Sequence, residues 1–122
     1  MARNVLGGDL ECCCLEPVTG FYRHGKCDTG GEDHGLHTVC VEVTEEFLEF
    51  ARSQGNDLMT PMPEYGFPGL KPGNKWCVCV GTVMQAIQAG EPPLIRLRAT
   101  HVSVLEFLDM EVLKSCAVDE SQ

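Results

Sequence analysis

The sequence is poor in basic residues, in long apolar runs and in recognisable catalytic or cofactor motifs. Only 9 of its 122 residues are lysine or arginine, against 18 aspartates and glutamates, which gives a formal net charge of -9. Such a charge repels phosphate backbones and anionic lipid surfaces, so we expect no nucleic-acid and no membrane partner. No window approaches the roughly 20 apolar residues of a membrane span, and residues 1–8 lack the apolar stretch of a secretory signal. We therefore expect a cytoplasmic protein in a reducing compartment, with an organelle left open.

Internal repeats, low-complexity tracts and interdomain linkers are also missing from the sequence. A chain of 122 residues fits one domain. A core of that size is stable without obligatory disulfides or metals, so the cysteines need not be structural braces. We predict a single domain over residues 1–122, with frayed ends at 1–4 and 118–122.

Alternating and helical patterns predict short elements in mixed order. Residues 37–43 and 76–80 alternate as strands that carry valines on one face and cysteines on the other. Thr44 is a helix N-cap before residues 45–54, and Gly55 is placed to end that helix. The remaining predicted elements are a hairpin or two short strands within 5–15, a helix over 83–89, a strand over 94–99, and a final helical turn or two from Asp109 to Lys114.

Two loops rich in glycine or proline, at residues 28–35 and 56–74, connect these elements. The apolar side chains within 56–74 favour an ordered loop that covers the core. Because the order of elements shows no βαβ rhythm, we predict an α+β fold. Its expected form is a two-layer arrangement of a small, mainly antiparallel sheet with about two to four short helices and long ordered loops.

Cysteine is abundant, with 8 in the chain. Thiolates and imidazoles are the usual ligands of zinc, and thiolates also suit iron. One hypothesis is therefore a zinc or iron site drawn from Cys27, His37, Cys40, Cys77 and Cys79. Its weakness is the spacing of Cys77 and Cys79, which strand geometry places about 7 Å apart. The other cysteines, Cys12, Cys13, Cys14 and Cys116, are interpreted as bystanders, the last of them in the core.

Two other interpretations of these cysteines stay open. Free cysteine is among the most often buried residue types, so the strand cysteines can simply be small apolar core residues. Alternatively, Cys27 is a catalytic nucleophile for thiol redox or acyl chemistry, with His37 as its base, since Lys26 and His24 lie close to it in sequence.

The leading functional hypothesis is a binding module with a Cys/His pocket beneath the two loops. Its occupant is a small ligand or a metal, and the ligand, any protein partner and the oligomeric state are unknown. The expected ligand-binding residues are Tyr22, Arg23, Asp33, Asn56, Asp57 and Trp76. A cysteine-dependent enzyme that uses Cys27 with His37 is the alternative.

Several blocks of the sequence together resemble one known family. They are residues 20–23 with Gly25 and Cys27, Thr29-Gly30, Glu32-Asp33, residues 37–40, residues 55–58, and residues 67–73 running to Trp76-Cys77 and Cys79. This set is similar to the domain of unknown function 2237 family, over nearly the whole chain. The resemblance implies a small single-domain α+β protein and supplies no catalytic residues. The family pattern often has a cysteine where this chain has Lys26, so a metal site that needed adjacent cysteines there would be incomplete.

Overall fold

A computed structural model describes residues 2–16, 18–65 and 67–119. Within them, one antiparallel sheet has the strand order β2-β1-β3, from β1 (His37–Glu42), β2 (Lys75–Cys79) and β3 (Leu94–Ile95). The α-helices are α1 (Glu45–Ser53), α2 (Val80–Gln88) and α3 (Met110–Ser115), and short 3-10 turns lie at Pro63–Tyr65, Leu97–Ala99 and Val102–Glu106. The α+β prediction is confirmed. Across the described residues, no helix has the length and apolar character needed to cross a membrane.

Helix α1 begins and ends close to where its sequence predicts. The Thr44 hydroxyl accepts a hydrogen bond from the Phe47 amide at 3.0 Å, which is the expected N-cap. Phe47, Leu48 and Ala51 are buried against the sheet and α2. The helix ends at Ser53, and Gly55 adopts a φ of 89°, which suits a residue without a Cβ.

The two faces of the sheet bury different chemistry. Val39 pairs with Val78, and Val41 with Trp76, and these side chains join α1 and α2 in the main core. Cys40 lies opposite Cys77 on the other face, where both belong to a separate buried cluster with Cys13, Cys27 and Ala99. The predicted division into a valine face and a cysteine face therefore holds, because side chains alternate along a strand.

A β-bulge interrupts the pairing of β1 with β2. Regular pairing runs through Val39↔Val78 and Cys40↔Cys77, but His37, rather than Thr38, lies opposite Cys79. Two residues of β1, His37 and Thr38, thus oppose one residue of β2. The bulge brings His37 level with the last residue of β2.

Where the structure describes it, the long loop between α1 and β2 is ordered, as predicted. Leu58, Phe67 and Leu70 are buried in the main core, and the Leu70 amide donates to the Leu58 carbonyl at 2.8 Å. The Phe67 and Trp76 rings meet edge to face, with centroids 5.0 Å apart. The loop therefore covers one end of the core next to β2.

Other boundaries differ from the predicted ones. Residues 94–99 form a strand only at Leu94–Ile95, because the Asp119 carboxylate accepts from the Leu97 and Arg98 amides and stabilises a 3-10 turn there. Helix α2 begins at Val80 rather than Val83, directly after β2. Helix α3 follows Asp109, whose side chain makes no capping bond.

Neither the predicted hairpin nor the alternative of two short strands forms within residues 5–15. Isolated bridges Arg3↔Asp9 and Asn4↔His101 take their place. The Asn4 side chain accepts from the Leu6 and Gly8 amides at 2.9 and 3.1 Å, and this local turn competes with a strand ladder.

Both chain ends make backbone contacts where the structure describes them. The Val5 amide donates to the Thr100 carbonyl at 3.0 Å, and the Val118 amide to the Ile95 carbonyl at 2.9 Å. Residues 1 and 120–122, part of the ends predicted to fray, lie outside the described residues.

Candidate active site

A buried carboxylate organises the loop before β1. Asp33 is 1% exposed, and its carboxylate accepts from the Thr29 hydroxyl at 3.1 Å and from the His37 amide at 2.9 Å. The His37 ring nitrogen Nδ1 lies 2.6 Å from the Asp33 carboxylate. A carboxylate in this position fixes the orientation of an imidazole and directs its other nitrogen, Nε2, outward.

The outward side of His37 meets Cys79. The two residues are partners in the sheet register because of the bulge, and interaction with the Cys79 side chain raises the pKa of His37. Since Nδ1 is engaged by Asp33, Nε2 is the ring nitrogen available to Cys79. Gly35 lies against the pair: a Cβ there would lie 2.8 Å from the His37 ring and 3.4 Å from the Cys79 sulfur. Asp33, His37 and Cys79 therefore form a connected line of carboxylate, imidazole and thiol.

Cys79 also occupies the N-cap of α2. It is the last residue of β2, and the nine-residue helix Val80–Gln88 starts immediately after it. Backbone amides of a first helical turn point toward the N-terminus and carry partial positive charge, which stabilises an anion. Cys79 is partly exposed and free of disulfide bonding. The Cys79 side chain makes no capping hydrogen bond of its own, so the thiol lies at the start of the helix without being tied to it.

The protonation of His37 follows from these neighbours. The hydrogen bond with Cys79 raises the pKa of His37, burial opposes the rise, and the bond with Asp33 adds to it, so that the value reaches about 9. Burial raises the pKa of Asp33, but the side-chain and backbone hydrogen bonds from His37 outweigh burial and lower it. At neutral pH the line therefore holds an imidazolium between a carboxylate and Cys79.

Two neighbouring cavities open on this line. The smaller, about 70 Å³, is lined by His37, Asn56, Leu58, Trp76, Cys77, Val78 and Cys79. The larger, about 230 Å³, is lined by Gly20, Phe21, Arg23, His37, Trp76 and Cys77. His37, Trp76 and Cys77 line both, so the cavities lie side by side along β2.

The other cysteines of the sheet are sealed in two disulfides. Cys13 is bonded to Cys40, and Cys27 to Cys77. The sulfurs of Cys13, Cys27 and Cys77 all lie within 4.8 Å of one another, and all three residues are buried. We call Cys13, Cys27, Cys40 and Cys77 the sulfur cluster. The Cys77 amide donates to the Thr19 hydroxyl at 2.8 Å and the Cys40 amide to the Thr100 hydroxyl at 3.2 Å, so buried threonines satisfy these backbone donors.

The structure separates the cysteines and histidine of the predicted metal site into two places. Cys27, Cys40 and Cys77 meet in the sulfur cluster, while His37 and Cys79 meet at the Asp33 line. The interpretation of Cys13 as a bystander is wrong, since it completes the cluster. Cys12 is exposed and Cys116 is buried in the core.

Cys27, the nucleophile predicted from sequence, is bonded to another cysteine in the structure. Cys27 is fully buried and bonded to Cys77, whereas the cysteine beside His37 is Cys79. A catalytic role for Cys27 would first require reduction of its disulfide. The observed partnership depends on a bulge and on the Asp33 turn, which sequence spacing does not show. The sequence feature that marks Cys79 is Cys77-Val78-Cys79 at the end of a strand, directly before a helix.

The predicted ligand-binding residues divide between the site and the surface. Asp33 is bonded to His37, and Asn56 lies in the wall of the smaller cavity. Arg23 and Trp76 lie in the wall of the larger cavity. Asn56 donates to the Thr82 hydroxyl at 3.1 Å, which ties the loop to the first turn of α2. Asp57 accepts from the amides of its own loop at Met59 and Thr60, and Tyr22 is exposed, with its hydroxyl 3.4 Å from Glu32.

Comparison with known proteins assigns nearly the whole chain to one family. The model of a family described as an uncharacterized protein conserved in bacteria, DUF2237, matches residues 3–117. The chain belongs to the DUF2237 family. The match spans the sulfur cluster and the Asp33–His37–Cys79 line, so both sites lie within the region that defines DUF2237 membership. No curated protein matches the chain.

Proposed function

We propose that this protein is a thiol-dependent enzyme in which Cys79 is the nucleophile, His37 the proton-transfer group and Asp33 the residue that orients His37. The observation that carries the proposal is the connected line of these three side chains at the start of α2. A nucleophile bonded to a base, which is itself oriented by a third group, is the recurring arrangement of covalent catalysis.

The reaction class that fits is acyl transfer. The Cys79 thiolate attacks the carbonyl carbon of a small ester, thioester or amide and forms a C–S bond. The imidazolium of His37 gives its proton to the leaving group as the bond from carbon to that group breaks. Water then attacks the acylated Cys79 while His37 takes the water's proton, and the sulfur leaves with the bonding electrons. The net change is hydrolysis, in which one water is consumed and one acid is released.

Site-resolved alkylation tests the activated thiol. We expect iodoacetamide to modify Cys79 faster than the exposed Cys12, and His37→Gln to slow Cys79 at least about tenfold, because it removes the imidazolium beside the thiol. His24→Gln is the matched control, since His24 is exposed and stacks on Tyr22. Peptide mass spectrometry gives each rate separately. Cys79 labelling no faster than Cys12, together with no effect of His37→Gln, contradicts the proposal.

An acyl-enzyme measurement tests the reaction class. We expect p-nitrophenyl acetate to acetylate Cys79 with a burst of nitrophenol equal to the enzyme concentration when deacylation is slow. Asp33→Asn should slow acetylation while leaving Cys79 in place, because Asp33 acts only through His37. Alkylation of Cys79 that depends on His37, without any acetylation, would retain the reactive thiol and reject acyl transfer.

A second candidate function, metal binding, is favoured by the sulfur cluster. In tetrahedral zinc sites the thiolates bond at about 2.3 Å, which puts sulfurs about 3.8 Å apart. The sulfurs of Cys13, Cys27 and Cys77 all lie within 4.8 Å of one another, with Cys27 and Cys77 joined as a disulfide, so reduction would leave three thiols within reach of one ion. Two-electron reduction of each disulfide by a cellular dithiol would yield thiols that can bind zinc or iron with release of their protons.

Metal content after reductive purification tests this second function. We expect about one equivalent of zinc or iron in wild type and in Cys12→Ser, and loss of the metal in Cys13→Ser, since a site of this kind needs all its thiolates. Elemental analysis should accompany a thiol titration that verifies reduction. Less than about a tenth of an equivalent in fully reduced wild type contradicts metal binding.

A further inference from the structure

The larger cavity differs in charge from the rest of the molecule. The chain carries a net charge of -9, yet the described residues that line this cavity include Arg23 and His37 and no carboxylate. His37 is cationic at neutral pH. Its counter-ion Asp33 is buried on the other side of the ring and is not among the lining residues.

Arg23 is held in position before any ligand arrives. Its guanidinium carbon lies 5.2 Å from the centre of the Trp76 ring, and its Nη1 donates to the Gly20 carbonyl at 2.7 Å. The backbone at Arg23 has a φ of 57°, in a turn closed by its amide on the Gly20 carbonyl. This conformation is uncommon for a residue with a side chain. A guanidinium fixed in this way presents its remaining N–H groups as a planar fork, the geometry that a carboxylate accepts in a bidentate manner.

The walls of the cavity suit a small organic body attached to such an anion. Phe21 stacks on His37 with centroids 6.1 Å apart and an interplanar angle of 22°, and Trp76 forms the neighbouring wall. The volume of about 230 Å³ lies below the ~300–1,000 Å³ of sites for drug-sized ligands. The occupant is therefore small.

From this arrangement we infer that the compound acted on by Cys79 carries a carboxylate, which binds Arg23 in the larger cavity while the reacting carbon enters the smaller cavity beside Cys79. The shared lining residues His37, Trp76 and Cys77 connect the two positions. This inference rests on the proposed role of Cys79 and adds the substrate class, a small acyl compound with a free carboxylate. Arg23 is a binding residue in this scheme, and His37 serves both the reaction and the charge of the cavity.

A pair of thiol reagents of similar size isolates the charge preference. N-ethylmaleimide and 3-maleimidopropionate react with thiols in the same way, but only the second carries a carboxylate. We expect Cys79 to react with 3-maleimidopropionate about fivefold faster than with N-ethylmaleimide, after each rate is divided by that of the exposed Cys12 on the same protein. A factor of this size corresponds to one partly exposed charge pair.

Substitution of Arg23 then tests whether this residue causes the preference for the reagent with a carboxylate. Arg23→Gln should bring the normalised ratio of the two rates to about one, and Arg23→Lys should keep part of it, because a point charge remains without the planar fork. Arg3→Gln is the matched control, since Arg3 is an exposed arginine outside the cavity lining, and it should retain the wild-type ratio. Acetate should slow Cys79 labelling in wild type more than inorganic phosphate at equal concentration.

The outcomes separate this inference from the proposed function. A ratio near one in wild type, or a preference unaffected by Arg23→Gln, overturns the carboxylate site while His37-dependent alkylation still supports a reactive Cys79. Stronger protection by phosphate than by acetate overturns the assignment to carboxylates. Alkylation of Cys79 that is slow with both reagents and indifferent to His37 overturns the proposed function itself.

Discussion

Cys77 and Cys79 lie two residues apart on the same strand and have opposite surroundings. Cys77 is 1% exposed and bonded to Cys27, within the buried sulfur cluster. Cys79 is partly exposed, unbonded and next to an imidazolium at a helix N-terminus. The difference shows that residue type and position on a strand do not determine the reactivity of a cysteine. Its burial and the charges beside it determine that reactivity.

The largest effect on the protein should come from removing the disulfide of Cys77. The Cys27–Cys77 disulfide closes a loop with a sequence separation of 50 residues, for which the chain-entropy relation gives about 4 kcal/mol of stabilisation. We expect Cys27→Ala/Cys77→Ala to lower the free energy of unfolding of the oxidised protein by about that amount in urea titrations. Cys12→Ser, at an exposed free thiol, is the control and should change little. A loss below about 1 kcal/mol in the double variant would show that the cluster does not brace the fold.

The next largest effect should come from adding one methyl group at Gly35, beside His37 and Cys79. At Gly35 a Cβ would approach the His37 ring to 2.8 Å, whereas at Gly31 it would meet nothing within 4 Å. We expect Gly35→Ala to slow alkylation of Cys79 about tenfold or more, since a displacement of about 1 Å can cost up to ~10²-fold in rate. Gly31→Ala should stay near wild type. Equal rates in the two variants would contradict the close packing of Gly35 on the His37–Cys79 pair.

A smaller loss is expected at the bond that holds the long loop to α2. The Thr82 hydroxyl accepts from the side-chain amide of Asn56, and Thr82 is 8% exposed. Thr82→Val keeps the shape of the side chain and removes the acceptor, so the free energy of unfolding should fall by about 1 kcal/mol. Thermal or urea unfolding measures it. Unchanged stability would show that this bond contributes little and that the buried Leu58, Phe67 and Leu70 hold the loop.

The smallest expected effect concerns pH. Folding raises the pKa of His37 from 6.5 to about 9, so its contacts stabilise the fold fully below pH 6.5 and lose that effect as pH rises through about 9. The lowered pKa of Asp33 affects stability at acidic pH. Its contacts stabilise the fold above pH 3.8, the ordinary pKa of the carboxyl group, and this stabilisation is lost as the pH falls below that value. The effect is modest because 37% of the His37 side chain is exposed.

Unfolding titrations of wild type and His37→Gln across this range test the sign. The stability advantage of wild type over the variant should be greatest between about pH 5 and 6.5, and should shrink toward pH 10. Titrating groups that behave alike in both proteins cancel in the difference. An advantage that grows with rising pH would mean that His37 is held neutral in the folded protein.

Local patterns predicted the elements whose causes are local. Thr44 with Glu45 and Glu46 marks a helix start, and the alternation of valine with cysteine assigns the faces of β1 and β2. The order of the loop at 56–74 follows from its buried apolar side chains. These features depend on residues within a few positions of one another, so one sequence suffices.

Features that depend on distant contacts were not predictable in the same way. Cys13 joins Cys40 across 27 residues, and Leu97–Ala99 becomes a turn because Asp119 caps it from the far end of the chain. The pairing of His37 with Cys79 instead of Cys27 requires the fold to exist first. Of the candidate site, the residue types and the loops were predictable, but their partnerships were not.

The bulge at Thr38 has a consequence for how the two sites can vary. Because it absorbs one extra residue in β1, the segment before it can lengthen, shorten or tilt without changing which residues of β1 and β2 lie opposite beyond it. Cys40 then remains opposite Cys77 when the loop that carries Asp33 and Gly35 changes its length. The strand-borne cysteines of the two disulfides are therefore held next to each other by strand pairing, independently of how His37 meets Cys79.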